Sequence, residues 1–296
     1  MVPSRRAVHA GRDAVSERRV GWGGAAAVAG AAALWGLWSL FVRPAALPAA
    51  TFGALVFVVM AATTLPAALT ATPAVWSRRA LILLAANGAF DAANVLTYFA
   101  ALQETTVAVA VLTHYLAPVL IAVLAPVVER ERVPGAVPAA LIACAGLTLV
   151  LEPWRGEVDL TGAALGTASA VAYAGNVFVV RRLVPLLGVA RVISYHAFLA
   201  AALMAPFAIA AGVVPGTRAL AWVASGAVVL GAVAGVIYVR GLAVIGASRA
   251  AMLTYAEPVV AVAVGAIAWA EPVGQLAVGG VVMIVASGAW VARPRP

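Results

Sequence analysis

Tyr115–Glu131 reads YLAPVLIAVLAPVVERE, and Tyr255–Glu271 reads YAEPVVAVAVGAIAWAE. Each belongs to a longer apolar run, 105–128 and 247–270, close to the ~20 residues an α-helix needs to cross the hydrocarbon of a bilayer. The two stretches also share their informative residues at a constant separation of 140: Tyr115 with Tyr255, Pro118 with Pro258, and Glu131 with Glu271. The same shift superposes Pro66 on Pro206, Tyr98 on Tyr238 and Leu102 on Leu242. Coincidences of Ala and Val carry no weight in a chain so rich in both, whereas coincidences of Tyr, Pro and Glu do. The chain therefore reads as a membrane-spanning protein made of two copies of one unit.

Composition agrees. Of 296 residues, 65% are hydrophobic and 10% charged, and the mean hydropathy is +1.05; a soluble domain carries about 25% charge. One water-soluble core cannot bury that much apolar surface. This excludes a soluble enzyme, and a nucleic-acid binder despite a pI near 10.7. The basic residues, all Arg, lie between apolar runs rather than on one face, so the net charge of +8 speaks of topology rather than of an anionic partner. The single Cys144 lies within an apolar run, which rules out a disulfide or Cys-based metal framework.

Ten runs are long enough to span, at 22–42, 49–71, 80–102, 105–128, 136–152, 160–180, 192–214, 219–239, 247–270 and 274–292. The expected fold is an all-α integral membrane protein with ten transmembrane helices. Its parts are a basic N-terminal segment (1–21), a first five-helix repeat (22–159), a second (160–292) and a short tail (293–296). Five is odd, so the second copy enters the membrane upside down relative to the first. Such inverted repeats suit alternating access to a site at the midplane. The first run opens after five Arg but lasts 21 residues, too long for the ~7–15-residue core of a signal peptide, so it reads as a retained helix. With the N-terminus inside, 16 Arg fall on the inner side and 3 on the outer. The positive-inside rule then places both termini in the cytoplasm, in the cell inner (plasma) membrane.

Three stretches carry a resemblance to a known family: Ala33-Leu34-Trp35-Gly36 in the first run, LAPVLIAVLAPVVERE from Leu116, and YAEPVVAVAVGAIAWAEPV over Tyr255–Val273. The chain resembles the EamA-like family of the drug/metabolite transporter superfamily over about 22–292, the last stretch being similar to that family's ninth helix. The resemblance implies a ten-helix carrier with cytoplasmic ends, often an exporter of amino acids or other small metabolites. His114 and Asp91 depart from what the family would lead one to expect.

Ionisable groups inside a bilayer are costly, about 2.5–3.5 kcal/mol for a central Asp on the insertion scale, and mark functional sites by default. Asn87, Asp91, Asn94 and Tyr98 follow at steps of 4, 3 and 4, which puts them on one helical face. That stripe should face a wet cavity or the bundle interior, as a solute or proton site or as a polar packing seam. At the 140 shift its first three members meet Ala227, Gly231 and Ala234, so the polar lining belongs to one repeat only. Gly231 and Gly235 form instead a GxxxG step suited to close backbone approach. Glu257, about a third of the way into the ninth span, is the second buried acid, with proton or solute handling and a structural hydrogen bond equally open to it. Pro118 and Pro258 should kink their helices and shape the cavity or act as hinges.

His114 and Tyr115 sit one turn before Pro118, where an imidazole can titrate near neutrality. Tyr173 and Asn176 share a face of the sixth span and, with Trp35 and Trp38, offer an aromatic and hydrogen-bonding wall. Tyr238 and Tyr255 complete the candidate lining. His196 reads as a packed interior residue, and Trp76, Trp154, Trp222 and Trp290 as anchors at span ends. No Walker, HExxH or GxSxG motif occurs, and the three His show no ligand spacing, so no cofactor or metal is expected.

The expected function is a secondary active transporter, an exporter of a small polar metabolite such as an amino acid, with proton coupling open and no partner beyond solute, protons and lipid. A monomer or a homodimer would serve. The alternatives are an intramembrane enzyme using Asp91 and His114, and a non-transporting membrane subunit with a dry interior and Asp91 paired to Arg.

Overall fold

The computed structural model describes residues 22–71, 74–155, 159–270 and 273–292. The basic segment 1–21, Glu271 and the tail 293–296 lie outside the described residues. Ten helical spans follow one another: span 1 Trp22–Ala45, span 2 Ala49–Thr70, span 3 Arg78–Glu104, span 4 Val107–Val128, span 5 Ala136–Arg155, span 6 Leu160–Leu187, span 7 Val189–Ala210, span 8 Thr217–Ile245, span 9 Ala247–Trp269 and span 10 Gln275–Ala292. There is no strand among the described residues. Large apolar side chains such as Val127, Leu160 and Ile267 remain 80–87% exposed, as expected of a bundle whose outer solvent is lipid.

Each apolar run becomes a span, but spans 6 and 8 continue well past residues 180 and 239. Span 6 keeps its helix through Arg181 and Arg182 because both find partners there. Arg181 pairs with Glu129 at 2.7 Å and with Glu131, and Arg182 donates to the Val128 carbonyl at 2.6 Å. Glu131 also accepts the Ala247 N–H at 3.1 Å, closing the N-terminus of span 9. Its carboxylate lies on the face of Gly246, where any Cβ would collide with it, and Gly246 has φ +86°, so only glycine fits. Burial pushes the Glu129 carboxyl above its ordinary pKa, with Arg181 opposing the shift and Glu131 adding to it.

Packing follows the repeat. Span 3 lies on span 6, span 2 on span 7, and span 5 on span 10. A two-fold relation that exchanges each span with the one five later maps the pairs 2–7, 4–9 and 5–10 onto themselves. On the 4–9 axis the equivalent residues Tyr115 and Tyr255 meet, with ring centroids 5.7 Å apart. Pairs 2–7 and 5–10 are close because small residues line them. A Cβ on Gly146 would stand 2.7 Å from the Gly280 carbonyl oxygen, and one on Gly280 would collide with the Gly146 carbonyl. Several threonine hydroxyls within the spans bond back to their own helix, as Thr64 does to the Met60 carbonyl at 2.8 Å and Thr148 to that of Cys144 at 2.9 Å, which satisfies these donors within the span.

Several spans are not continuous. Span 1 turns at 36–38 before Ser39–Ala45. Span 4 is Val107–His114 then Ala117–Val128, and span 9 is Ala247–Leu253 then Ala256–Trp269. Span 8 widens to a π-helix over Ala227–Val233. Gly231 and Gly235 therefore meet side chains, Met60 and Ile193, rather than another backbone; the backbone-to-backbone contact expected of them is made by Gly146 and Gly280.

Gly280→Val should lower the melting temperature of the detergent-solubilised protein by the cost of overpacking, about 1–3 kcal/mol. Gly279→Val, one residue away with open space around it, should leave it unchanged. Equal melting curves for the two variants would mean that spans 5 and 10 do not pack as described.

Candidate functional site

Spans 4 and 9 break at equivalent points because each carries a proline just inside its second helix. Pro118 is the second residue of Ala117–Val128 and Pro258 the third of Ala256–Trp269. In a first turn the missing N–H is one the helix would not have used, but the carbonyl four residues earlier loses its donor. At Thr254 the Glu257 N–H takes that place at 3.0 Å. Across the axis, the Tyr255 hydroxyl donates to the Tyr115 carbonyl at 2.9 Å.

A cavity lies between the two breaks, lined by His114, Tyr115, Ala117, Pro118, Thr254 and Glu257, with Tyr173 from span 6. About 20 Å³ of it is open to the centre of a water molecule, room for roughly one water. The space beside these polar groups is therefore small. Glu257 is the eleventh of the 23 residues of span 9, nearer the midpoint than the expected third. Its side chain shares the cavity with Tyr115, His114 and Tyr173. Among the described residues, no Arg lines the cavity.

His114 sits among three phenols, with ring centroids 4.7 Å from Tyr98, 5.3 Å from Tyr115 and 5.9 Å from Tyr173. Its Nδ1 is 2.7 Å from the Ser169 hydroxyl, and that hydroxyl donates to Asn94 Oδ1 at 2.8 Å. A hydroxyl has one proton. With that proton on Asn94, Ser169 can only accept from His114, so Nδ1 carries a proton and Nε2 is left as the acceptor. Tyr173 donates to Tyr238 at 3.2 Å, Tyr238 packs on Trp35 at 4.9 Å, and Trp35 Nε1 donates to the Leu230 carbonyl at 2.8 Å. Leu230 lies in the π stretch, where wider turns free a carbonyl for such a donor. Gly36 lets span 1 come this close, since a Cβ there would stand 2.6 Å from the Glu257 carbonyl oxygen.

The stripe on span 3 therefore fans out rather than facing one cavity. Tyr98 meets His114 and Asn94 meets Ser169. Asp91 turns the other way and pairs with His196 of span 7, Oδ2 to Nε2, at 2.9 Å. Asn87 is fully buried, with neither side-chain amide atom paired among the described residues, and its carbonyl takes Asn176 Nδ2 at 3.4 Å. Neither Asn87, Asp91 nor Asn176 lines the cavity. Trp38 packs on Phe52, away from the site. Ser169, Thr254 and the pairing of His196 escaped the sequence reading. Ser169 was within reach of it, since it lies one turn before Tyr173 on the face shared with Asn176. Trp76 and Trp154 are half exposed near span ends, in the places expected of anchors.

The EamA-like transporter family model matches this chain twice, over residues 22–151 and 160–293. The chain belongs to that family. The two matched segments cover the two five-span units, so the repeat inferred from Tyr, Pro and Glu coincidences is the family's own architecture. A solved structure described as "Crystal structure of protein" is similar to this EamA-like transporter at 25% identity, covering 91% of this chain and 97% of that one with a TM-score of 0.77. No curated protein gives a significant match.

Ser169→Ala removes the acceptor that fixes the His114 tautomer. The variant should show both neutral tautomers of His114 in a ¹⁵N-histidine spectrum, with a stability loss of about 1–3 kcal/mol for the orphaned buried donor. A spectrum identical to wild type would show that the hydroxyl does not set the tautomer.

Proposed function

We propose that this chain is a secondary carrier that exports a small polar, amine-bearing metabolite through the plasma membrane, its termini cytoplasmic, by alternating access of its two repeats. The reading rests above all on one observation: a carboxylate, Glu257, enters a cavity between the broken spans 4 and 9 with aromatic rings around it and, among the described residues, no Arg in its lining. An ammonium group suits that setting, since it pairs with the acid and is attracted to the faces of Tyr and Trp rings. Tyr115 and His114 Nε2 offer further hydrogen bonds that orient the rest of the solute. The breaks lie on the axis that relates the repeats, so a small change in how the repeats meet opens the cavity to one side or the other. Pro118 and Pro258 are the hinges in this reading. The Arg count of 16 to 3 supports the orientation, and the resemblance to exporters supports the direction.

The test is a panel of amino acids, amines and neutral polar metabolites presented to proteoliposomes, with and without a pH gradient. Flux should be found for amine-bearing solutes, and Glu257→Gln should reduce it at least tenfold while the protein still folds. Full flux in Glu257→Gln vesicles, or transport confined to solutes without a cationic group, overturns the assignment. Turnover of a lipid-linked substrate without solute flux would favour an intramembrane enzyme instead.

A further inference from the structure

The Asp91–His196 contact is a second polar site, and the cavity does not use it. Its hydrogen bonds fix how many protons it holds. His196 Nδ1 is 2.7 Å from the Val192 carbonyl, which can only accept, so Nδ1 carries a proton. The other nitrogen, Nε2, faces Asp91 Oδ2 at 2.9 Å. A deprotonated carboxylate facing a bare Nε2 would set two lone pairs against each other. The observed contact needs one proton between them, on Nε2 or on the carboxyl, and either placement leaves the pair neutral overall.

The pair joins the two repeats. Asp91 is at the centre of span 3 in the first, and His196 is on span 7 in the second. Gly88 brings these helices together, since a Cβ there would stand 2.5 Å from Leu199 Cβ and 3.3 Å from the His196 carbonyl. The neighbours are few. Span 2 brings the Phe57 ring, edge-on to His196 at 6.3 Å, and has no titratable side chain. Span 6 brings Asn176 and Tyr173, whose hydroxyl feels the charge of both Asp91 and Glu257. Span 8 brings Tyr238, bonded to Tyr173, and an exposed Arg240. On their own helices, Arg191 is held by the Leu187 and Ala71 carbonyls, and Arg78, Arg79 and Glu104 lie at the ends of span 3. The ion pair recorded for Asp91 among the described residues is with His196. Asn87, one turn nearer the Arg78 end, presents an unpaired buried donor and acceptor on the way from that surface to the pair.

We propose that Asp91 and His196 form a one-proton binding site, distinct from the solute cavity, that locks span 3 to span 7 when occupied. Loss of the proton to water leaves the pair with one negative charge and a repulsive contact, which releases the two repeats from each other at this point. Tyr173 lines the cavity together with Glu257. The proton site rests on its own geometry; its role in coupling rests on the transport reading above.

The proton itself is tested on purified protein without any solute, by a pH titration of ¹⁵N-histidine spectra and of the carboxyl infrared band. His196→Gln assigns the His196 signals and Asp91→Asn the carboxyl band. Asparagine can still donate to Nε2, so that variant keeps the helix contact while losing the shared proton. Wild type should show either a protonated Nε2 on His196 or a protonated Asp91 carboxyl, lost as pH rises and absent from Asp91→Asn. Neither signal at any pH that leaves the fold intact, or a signal that never titrates, overturns the proton site. In proteoliposomes, the response of solute flux to an imposed pH gradient should fall at least tenfold in Asp91→Asn, and an unchanged response overturns its role in coupling. Absence of solute flux in wild type would refute the carrier reading alone, and the titration would still decide the proton site.

Discussion

A hydrogen bond from the Tyr255 hydroxyl to the Tyr115 carbonyl, 2.9 Å long, joins two helix breaks at the centre of the molecule. Lipid offers no donor to a freed carbonyl, and an unsatisfied one costs several kcal/mol. Breaks in membrane helices therefore survive only where another part of the protein supplies the donor. Here the Tyr115 carbonyl of the span 4 break takes its donor from the equivalent tyrosine of span 9, while the Thr254 carbonyl takes the Glu257 N–H of its own break. The Tyr255–Tyr115 bond ties the two discontinuities together, and the polar cavity lies between them. Prolines make the breaks; the tyrosine bond makes them tolerable.

The scaffold is two-fold, but the chemistry mounted on it is not. Glu257 faces its counterpart position Ala117, and His114 that of Thr254, across the same cavity. The asymmetry continues in the spans behind. Where span 3 carries Asn87, Asp91 and Asn94, the equivalent part of span 8 is apolar and takes up a π-helix over Ala227–Val233. One repeat supplies polar side chains there. The other supplies a backbone carbonyl, Leu230, which holds Trp35 against Tyr238. A solute with distinct ends needs such unequal walls, whereas rocking of the repeats needs only their equal frames.

The frame was readable because it follows from composition and period. Ten apolar runs, an Arg asymmetry and a recurring Tyr–Pro–Glu pattern are one-dimensional signals, and the spans fall within a few residues of them. They misplace the ends of spans 6 and 8 because Arg181 and Arg240 look like stops to a hydropathy reading. Arg181 continues its helix because Glu129 and Glu131 reach it from a distant loop. The candidate site was readable as a set of residues but not as an arrangement. Asn87, Asp91, Asn94 and Tyr98 do share a face, as their spacing requires. That face is wide enough to touch spans 4, 6 and 7, and which neighbour each residue meets is decided by the packing of those spans. Hence Tyr98 and Asn94 join His114 while Asp91 does not. His196 could not be paired from sequence, since its partner lies 105 positions away on the other repeat and no motif links them.

The separation of the two acids matters physically. Two carboxylates in one small cavity would repel each other, and one would take up a proton or a cation regardless of function. This fold gives each acid its own neutralising partners: Asp91 has an imidazole with which it shares one proton, and Glu257 has aromatic faces that suit an external cation. The first partner is permanent and the second replaceable. The Asp91–His196 bond also crosses the boundary between the repeats, as do the Tyr255–Tyr115 bond and the Glu131 contact with Ala247. Of these three ties, only the first is made by a pair that must hold a shared proton to remain attractive, so a change in its occupancy alters the grip between the repeats while the tie at the breaks stays intact.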